Sequence, residues 1–321
     1  MKESDSYPIS SLKFWKAYLV QMRPYLLFVS SIAGTTGIAM ASQENIFPLK
    51  TTLISIIFFL GYGFGQALTD CFQTDTDKLS APYRPLSKGI ITIKATLTIS
   101  VFGLCSSAIV LLLLSPASFI LSLFAVFGLA TYSFIKRKYW LAGPFYNAWI
   151  VALLPIMGYC AIVPTSISYF IIHFYIYIAI SFFSYASFVL IGYLKDIDAD
   201  RATGYKTFPV VYGWKNTVLF GDLFMIIIFL LFWTRNGMNE LEIFVGILAT
   251  ILLIIGQSKG HLSKSKNVKE ALFPILSTLR SFVLYHIAIV LHFQPKWFLQ
   301  MIIFYLIFEI TLYLRPSRYQ V

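Results

Sequence analysis

The sequence predicts an all-α integral membrane protein, a bundle of nine to ten transmembrane helices. Of its 321 residues, 58% are hydrophobic and only 12% are charged, and the mean hydropathy is +0.76. These values lie outside the range of soluble proteins. The apolar runs are also too many and too long for a signal peptide followed by a globular core.

Ten apolar stretches are candidates for crossing a bilayer, whose hydrocarbon core needs about 20 helical residues. The ninth is the shortest and carries Arg280 and His292 near its ends, so the expected number is nine or ten. Pro144 and Pro155 lie in the fifth and predict a kinked helix beside a cavity. The stretches are 25–42, 51–70, 92–114, 117–135, 141–163, 167–194, 216–233, 240–256, 279–293 and 297–314.

Basic residues predict the orientation of the chain, because short cytoplasmic loops retain Lys and Arg. If the N-terminus is cytoplasmic, only Lys50, Arg235 and Lys296 lie on the opposite side. The C-terminus is then cytoplasmic as well. The net charge of +11 reflects this distribution, so it predicts the lipid bilayer rather than nucleic acid as a partner.

The chain is predicted to form one transmembrane domain with short cytoplasmic ends. Two acidic windows interrupt it, each directly after an apolar stretch, and the orientation places both at the cytoplasmic face. They hold six of the fourteen acidic residues. The predicted parts are an N-terminal segment 1–24, a transmembrane domain 25–315 with acidic windows at 69–89 and 193–213, and a tail 316–321.

In the first window, helical periodicity selects which side chains converge. If the second span continues as a helix, then Thr69, Asp70, Gln73 and Asp77 lie within about a quarter-turn of one another. Asp75 points away from them. One face therefore offers two carboxylates, an amide and a hydroxyl.

In the second window, Asp196 and Asp200 are four residues apart and share a helical face, with Asp198 roughly opposite. Carboxylates converging from two helix ends repel each other without a cation. Mg²⁺ suits such a site, because it takes oxygen ligands and is usually completed by substrate phosphate. The candidate metal ligands are Asp70, Gln73, Asp77, Asp196 and Asp200.

More basic residues surround these carboxylates than the acids require. The excess favours a diphosphate bridged to the metal, with Arg offering bidentate contacts. As an alternative, the bases are ordinary cytoplasmic residues and the acids their surface partners. A transporter is a further hypothesis, but it predicts acidic residues near the bilayer midplane rather than at span ends. The basic residues are Lys78, Arg84, Lys88, Lys195, Arg201 and Lys206.

Two motifs resemble those of the UbiA superfamily of intramembrane prenyltransferases. They are DKLSAPYRPL at 77–86 and KDIDADR at 195–201. Arg23-Pro24 before the first span and Asn147 in the fifth agree with this resemblance, which covers nearly the whole chain through motif placement and span order. A tenth span departs from the pattern.

The first motif departs from the family in its ligands. The family usually has Asn, Asp and Asp at three positions where this chain has Thr69, Gln73 and Asp77. The missing middle carboxylate weakens one metal site, and Asp70 or Asp75 is a candidate substitute.

The resemblance implies a helical bundle around a central cavity that opens near the cytoplasmic face and binds Mg²⁺ and an isoprenoid diphosphate. The expected function is Mg²⁺-dependent transfer of an isoprenyl group from its diphosphate to an acceptor, with an aromatic acceptor favoured. The alternative is a terpene cyclase of the same superfamily, which ionises and cyclises a prenyl diphosphate without an acceptor.

Site residues follow from the motifs and the resemblance together. Tyr193 lies about one turn before Asp196, and an aromatic face there would attract a carbocation. The candidate catalytic residues are Asp77, Asp196, Asp200 and Tyr193. The candidate diphosphate-binding residues are Arg84, Lys88, Lys195, Arg201, Lys206 and Asn147.

Overall fold

Helices are the regular elements of the computed structural model, which describes residues 6–41, 48–163 and 167–318. Short 3₁₀ turns at Pro24–Leu26, Tyr193–Lys195 and Pro295–Trp297 adjoin them. The α-helices of these residues are α1 (Leu12–Met22), α2 (Leu27–Ala41), α3 (Pro48–Asp70), α4 (Thr74–Ser80), α5 (Ile93–Leu114), α6 (Pro116–Lys138), α7 (Ala142–Ile162), α8 (Ile167–Gly192), α9 (Ile197–Ala202), α10 (Phe208–Trp233), α11 (Glu240–His261), α12 (Val268–Phe293) and α13 (Phe298–Tyr313).

Ten of the described helices are long and apolar enough to cross a membrane, which confirms the all-α membrane fold predicted with nine to ten spans. The ninth span is not short: α12 has 26 residues and begins at Val268. Its start is fixed by Asn267, whose side chain accepts a hydrogen bond from the Glu270 amide. The predicted stretch begins only at 279, since the first turn carries Lys269 and Glu270 and Pro274 follows, whereas an N-cap stabilises a helix whatever its hydropathy.

The seventh span also begins earlier than predicted, since α10 starts at Phe208 with Pro209 in its first turn. A break follows at Gly213, where φ is +75°. A residue without a β-carbon adopts this conformation readily. Thr207, directly before this short piece, donates a hydrogen bond to Asp200 of the second acidic window at 3.1 Å.

The centre of the bundle is the crossing of α2 and α7, where the two backbones nearly touch. A β-carbon on Gly37 would lie 1.8 Å from the carbonyl oxygen of Pro155, and one on Gly158 would lie 2.1 Å from that of Gly34. Only glycine allows this approach, as at other close crossings of membrane helices. Pro155 therefore lies inside α7, at the packed centre of the bundle.

The tenth span, α13, is peripheral. Phe304 and Phe308 pack on Phe28 of α2, with ring centroids 5.0 and 5.7 Å apart. Arg280 of α12 donates two hydrogen bonds to Glu309, at 2.7 and 2.8 Å. These contacts hold α13 beside the start of the first span.

The N-terminal segment contains a helix, α1, that packs on α3 before the first span. Ser11 caps α1 by accepting a hydrogen bond from the Phe14 amide at 3.1 Å. Phe14 and Tyr18 face inward, and the Tyr18 hydroxyl lies 2.8 Å from that of Ser100 on α5. Residues 1–5 of this segment and 319–321 of the predicted tail lie outside the described residues. The cytoplasmic location of both ends stays a prediction.

Candidate active site

Both acidic windows contribute to one cavity, which opens where α3 and α8 end. Its volume is about 1470 Å³, including the open mouth. The mouth is polar and the interior, between α3, α5, α6 and α7, is mainly apolar. The charged residues that line it are Asp70, Asp77, Asp196 and Asp200 together with Arg23, Arg84, Lys136 and Lys195.

The first window is not a continuation of α3, so the expectation of one continuous helix is wrong. The helix ends at Asp70, and the amides of Cys71, Phe72 and Gln73 bond to carbonyls three residues earlier. This tight turn precedes α4, which begins at Thr74. Asp70, Gln73 and Asp77 nevertheless line the same cavity, because the turn redirects α4 across its mouth.

Asp70 is buried and already saturated with donors. Arg23 approaches both of its oxygens, at 2.8 and 2.9 Å. Gln21 and Gln66 donate to it at 2.6 and 2.8 Å. Both oxygens of this predicted metal ligand therefore accept hydrogen bonds from protein side chains. These bonds hold Arg23 at the cavity.

Asp77 lies at the mouth and accepts a hydrogen bond from Arg84 at 2.6 Å. Burial raises the pKa of the Asp77 carboxyl, although Arg84 opposes the shift. Burial alone would lower the pKa of the Arg84 guanidinium, but Asp77 and Asp70 raise it above its usual value. The pair therefore combines a carboxylate that is costly to ionise with a permanently charged partner.

In the second window, Asp196 and Asp200 line the cavity together, as their spacing predicts. Asp200 is fully buried and accepts hydrogen bonds from Thr76 and Thr207, at 3.2 and 3.1 Å. Burial raises the pKa of its carboxyl, and Lys136 partly offsets this. The Asp198 side chain is 98% exposed on the opposite face.

Lys136 is a central residue that sequence reasoning missed. Its ammonium lies 3.6 Å from Asp200 and 3.4 Å from the side-chain oxygen of Gln73, and so joins the two windows. It also lies 4.9 Å from the ring centre of Tyr193. The only signal in the sequence is the basic cluster 136–138 at the end of α6, which looks like any cytoplasmic flank.

Tyr193 and Asn147 both line the cavity. The Tyr193 hydroxyl lies 2.7 Å from that of Tyr132 on α6. A β-carbon on Gly143 would lie 2.4 Å from the same hydroxyl, so the glycine makes room for it. The Tyr193 ring is thus fixed in place beside Lys136.

Three predicted diphosphate ligands do not reach the cavity. Lys88, Arg201 and Lys206 are exposed and are absent from its lining. Arg201 follows Asp200 on the outer face of α9 and pairs with Asp198 at 3.6 Å. The Lys206 amide donates a hydrogen bond to the Arg137 carbonyl at 3.1 Å. By contrast, Arg84 and Lys195 line the cavity.

Asp75 points away from the cavity and joins the windows at the surface. It pairs with Arg137 at 3.1 Å and accepts a hydrogen bond from Tyr205 at 3.4 Å. Arg137 also donates to the Thr203 carbonyl at 3.1 Å. Asp75 therefore links the two windows at the surface and does not replace the missing carboxylate.

Replacing Asp75 by asparagine is expected to leave turnover within about threefold of wild type. The Asp75 and Arg137 side chains are 41% and 52% exposed, and such pairs stabilise a protein by only about 0.2–1 kcal/mol. Thermal unfolding and steady-state turnover of the purified variant measure both effects. A loss of activity as large as that expected for Asp77→Asn would contradict this surface role of Asp75.

The oxygen donors at the mouth suit Mg²⁺. Asp77, Asp196, Asp200 and Gln73 offer the hard oxygens that this ion prefers. Among the described residues, no three acidic, histidine or cysteine side chains form a ready ligand cluster. Mg²⁺ commonly binds through one or two carboxylates plus substrate phosphates, so the residues fit an ion that arrives with a diphosphate.

Known proteins resemble this chain over most of its length. The model of the UbiA prenyltransferase family matches residues 27–285. Digeranylgeranylglyceryl phosphate synthase of Pyrococcus horikoshii is 28% identical over 211 residues, which cover 65% of this chain and 73% of that protein.

Solved structures share the fold. A UbiA homologue from Aeropyrum pernix K1 superposes with a TM-score of 0.68 at 18% identity, over 79% of this chain and 94% of the other. A homologue from Archaeoglobus fulgidus bound to DMAPP and Mg²⁺ gives 0.61 at 20% identity, over 85% of this chain and 98% of the other. Together with the family match, this fold shows that the chain belongs to the UbiA prenyltransferase family.

Proposed function

We propose that this membrane prenyltransferase transfers a C20 isoprenyl group from its diphosphate to a hydroxyl of a phosphate-bearing polyprenyl glycerol. Mg²⁺ is the expected cofactor, since the Archaeoglobus fulgidus homologue binds DMAPP together with this ion. The main support is the cavity. Its mouth is polar with balanced charges, and its interior is long and apolar.

The charges at the mouth explain why a metal would enter with the substrate. The four carboxylates and the four basic side chains that line the cavity cancel formally. A prenyl diphosphate brings about three further negative charges into this partly buried site, where charge is costly unless it is paired. A divalent cation is the direct way to balance them.

The depth of the apolar interior supports a donor of about 20 carbons. It extends along α6 from Lys136 at the mouth to Ser122, which is about 21 Å at the rise of an α-helix. Leu111 and Met157 line the cavity on α5 and α7. Four isoprene units of four backbone bonds each extend about 19 Å, by analogy with the extended peptide chain. The relatives point to the same donor, because geranylgeranyl forms part of their name.

Residues of this chain can promote cleavage of the bond between the allylic carbon and the diphosphate oxygen. Lys136 and Arg84 lie where they can donate to the leaving oxygens, which take the electron pair of that bond. Mg²⁺ held by the carboxylates at the mouth would supply Lewis-acid stabilisation of the leaving diphosphate. The ring faces of Tyr193 and Tyr132 are suited to the allylic cation. The acceptor oxygen then bonds to that carbon, and its proton passes to the diphosphate.

The proposed acceptor follows from the relatives, since a product named digeranylgeranylglyceryl phosphate requires a precursor with one geranylgeranyl group fewer. Besides Lys136 and Arg84, the mouth has the basic side chains of Arg23 and Lys195, which support a phosphate-bearing acceptor. This differs from the aromatic acceptor that the sequence favours. Both acceptors, and cyclisation without an acceptor, are separated by one assay.

Purified protein in nanodiscs is expected to convert geranylgeranyl diphosphate and geranylgeranylglyceryl phosphate into the doubly prenylated lipid when Mg²⁺ is present. Mass spectrometry identifies the product, and EDTA is expected to abolish it. Parallel reactions contain a panel of phenols or no acceptor. Prenylated phenols as the only products would overturn the proposed acceptor, and cyclic hydrocarbons formed without an acceptor would overturn the transferase assignment.

A further inference from the structure

Two glycines of the cavity wall have no structural reason to be glycine. All eighteen glycines of the chain lie within the described residues. In twelve of them, a β-carbon would lie 3.2 Å or less from an atom of another part of the chain, so close packing requires glycine. Four others have a positive φ. Neither reason applies to Gly61 and Gly192, and both of these line the cavity.

Gly192 is the last residue of α8 and has an ordinary helical backbone, with φ −56° and ψ −33°. Apart from adjacent parts of its own helix, no heavy atom of the described residues lies within 4 Å of a β-carbon built on it. Tyr185, Val189 and Asp196 lie at helical spacing from this glycine and also line the cavity. The open space beside Gly192 is therefore part of the cavity.

Gly61 lies inside α3, and its φ is not positive either. A β-carbon built on it would also have no described atom within 4 Å outside the adjacent helix, and Phe58 and Tyr62 line the cavity beside it. Glycine weakens a helix relative to alanine. A helical glycine that neither packing nor backbone conformation requires therefore indicates backbone that a ligand approaches closely.

The two glycines lie at different depths of the cavity. The hydroxyl of Tyr62, the residue after Gly61, lies 3.0 Å from that of Tyr185 on α8. Tyr185 precedes Gly192 by seven residues, which is about 10 Å at the rise of an α-helix. Gly192 lies one turn before Asp196, near the mouth, so Gly61 lies deeper by about this distance. Two isoprene units have about the same length, since four extend about 19 Å.

We propose that the isoprenoid chain of the donor runs along the open backbone of Gly192 and then of Gly61. The assignment rests on the proposed function, because it places the donor of that reaction. Gly192 then faces the reacting end, next to Tyr193, and Gly61 faces the chain beyond its second isoprene unit. Gly61 is thus a specificity residue for donor length, whereas a side chain at position 192 would obstruct donors of any length.

The test adds a side chain at each glycine and measures the binding of a short and a long donor. Calorimetry of the purified protein in nanodiscs, with Mg²⁺ and without acceptor, uses dimethylallyl diphosphate and geranylgeranyl diphosphate. Gly61→Leu is expected to weaken binding of the long donor about 10-fold or more relative to wild type, since overpacking an apolar site is costly. Its affinity for the short donor should be unchanged. Gly192→Val should weaken binding of both donors by a similar factor.

Two kinds of control separate obstruction of the donor from damage to the fold. Leu60→Phe enlarges the side chain next to Gly61, which is 36% exposed and lies outside the cavity lining. This variant should bind both donors as wild type does. In Gly61→Ala and Gly192→Ala the new methyl group enters open space and alanine favours the helix, so the melting temperature should not fall.

An equal loss for both donors in Gly61→Leu, or no loss for the long one, would overturn the proposed path. A loss confined to the long donor in Gly192→Val, or no loss there, would overturn it too, as would a lower melting temperature of either alanine variant. The transfer reaction is tested separately. If the dependence on length appears but geranylgeranylglyceryl phosphate is not prenylated, the path stands and the proposed function is wrong. If transfer occurs without this dependence, the function stands and the path is wrong.

Discussion

Asp77→Asn and Asp196→Asn are each expected to reduce kcat by about 10³-fold or more, since a metal-stabilised leaving group accounts for several kcal/mol of the barrier. Both side chains line the mouth beside the basic residues of the cavity. Asparagine keeps the size of each side chain and removes the charge that binds a cation. Turnover of geranylgeranyl diphosphate at saturating Mg²⁺ measures the loss.

Asp198→Asn is the matched control, because it makes the same change in the same motif. The Asp198 side chain is 98% exposed and, among the described residues, pairs only with Arg201, so its replacement should leave kcat nearly unchanged. Calorimetric titration with Mg²⁺ and pyrophosphate gives a second measurement, in which Asp196→Asn should weaken binding and Asp198→Asn should not. Full activity in either Asp77→Asn or Asp196→Asn would refute the metal assignment.

Lys136→Met is the second substitution expected to have a large effect. Methionine retains most of the buried stem but removes the ammonium that joins Asp200 to Gln73. It leaves Asp200 buried beside two threonines without its cation. Breaking a buried pair in this way destabilises a protein by about 3–5 kcal/mol. We expect both a lower melting temperature and a loss of about 10²-fold or more in kcat/KM for the donor.

Two further variants separate folding from function. Lys136→Met combined with Asp200→Asn removes both charges, so it should recover much of the melting temperature without recovering activity. Lys138→Met, in an exposed position two residues away, should change neither quantity. Activity of Lys136→Met close to that of wild type would show that this lysine neutralises Asp200 and takes no part in donor binding.

Much of the fold could be predicted from local pattern. Ten apolar stretches became ten candidate spans, because hydropathy reports directly on the environment of each segment. The ends of spans were predicted less well. The first turn of α12 contains Lys269 and Glu270, and Pro274 lies inside the helix, which nevertheless begins at Val268. Where a span ends depends on how the helix packs against its neighbours, whereas hydropathy reports only on the residues of the helix itself.

Local pattern likewise predicts part of the candidate site. Asp196 precedes α9 as its N-cap residue, and Asp200, four residues later, donates its amide to the Asp196 carbonyl at 2.8 Å. Both line the cavity, and the spacing of four residues alone predicts that. The prediction that Asp75 points away from Asp77 assumes that the helix continues through the first window. This assumption is wrong, since α3 ends at Asp70. The turn after Asp70 happens to preserve the separation.

The sequence by itself determined that this protein spans the membrane many times, and which carboxylates share the face of one helix. It also placed both acidic windows directly after apolar spans. Only the tertiary structure decided which basic side chains meet these carboxylates. It brings Lys136 to Gln73, 63 residues away, while Lys88 and Lys206 are exposed. The physical reason is that periodicity orients side chains around one helix axis, whereas contacts between residues distant in sequence depend on how separate helices pack.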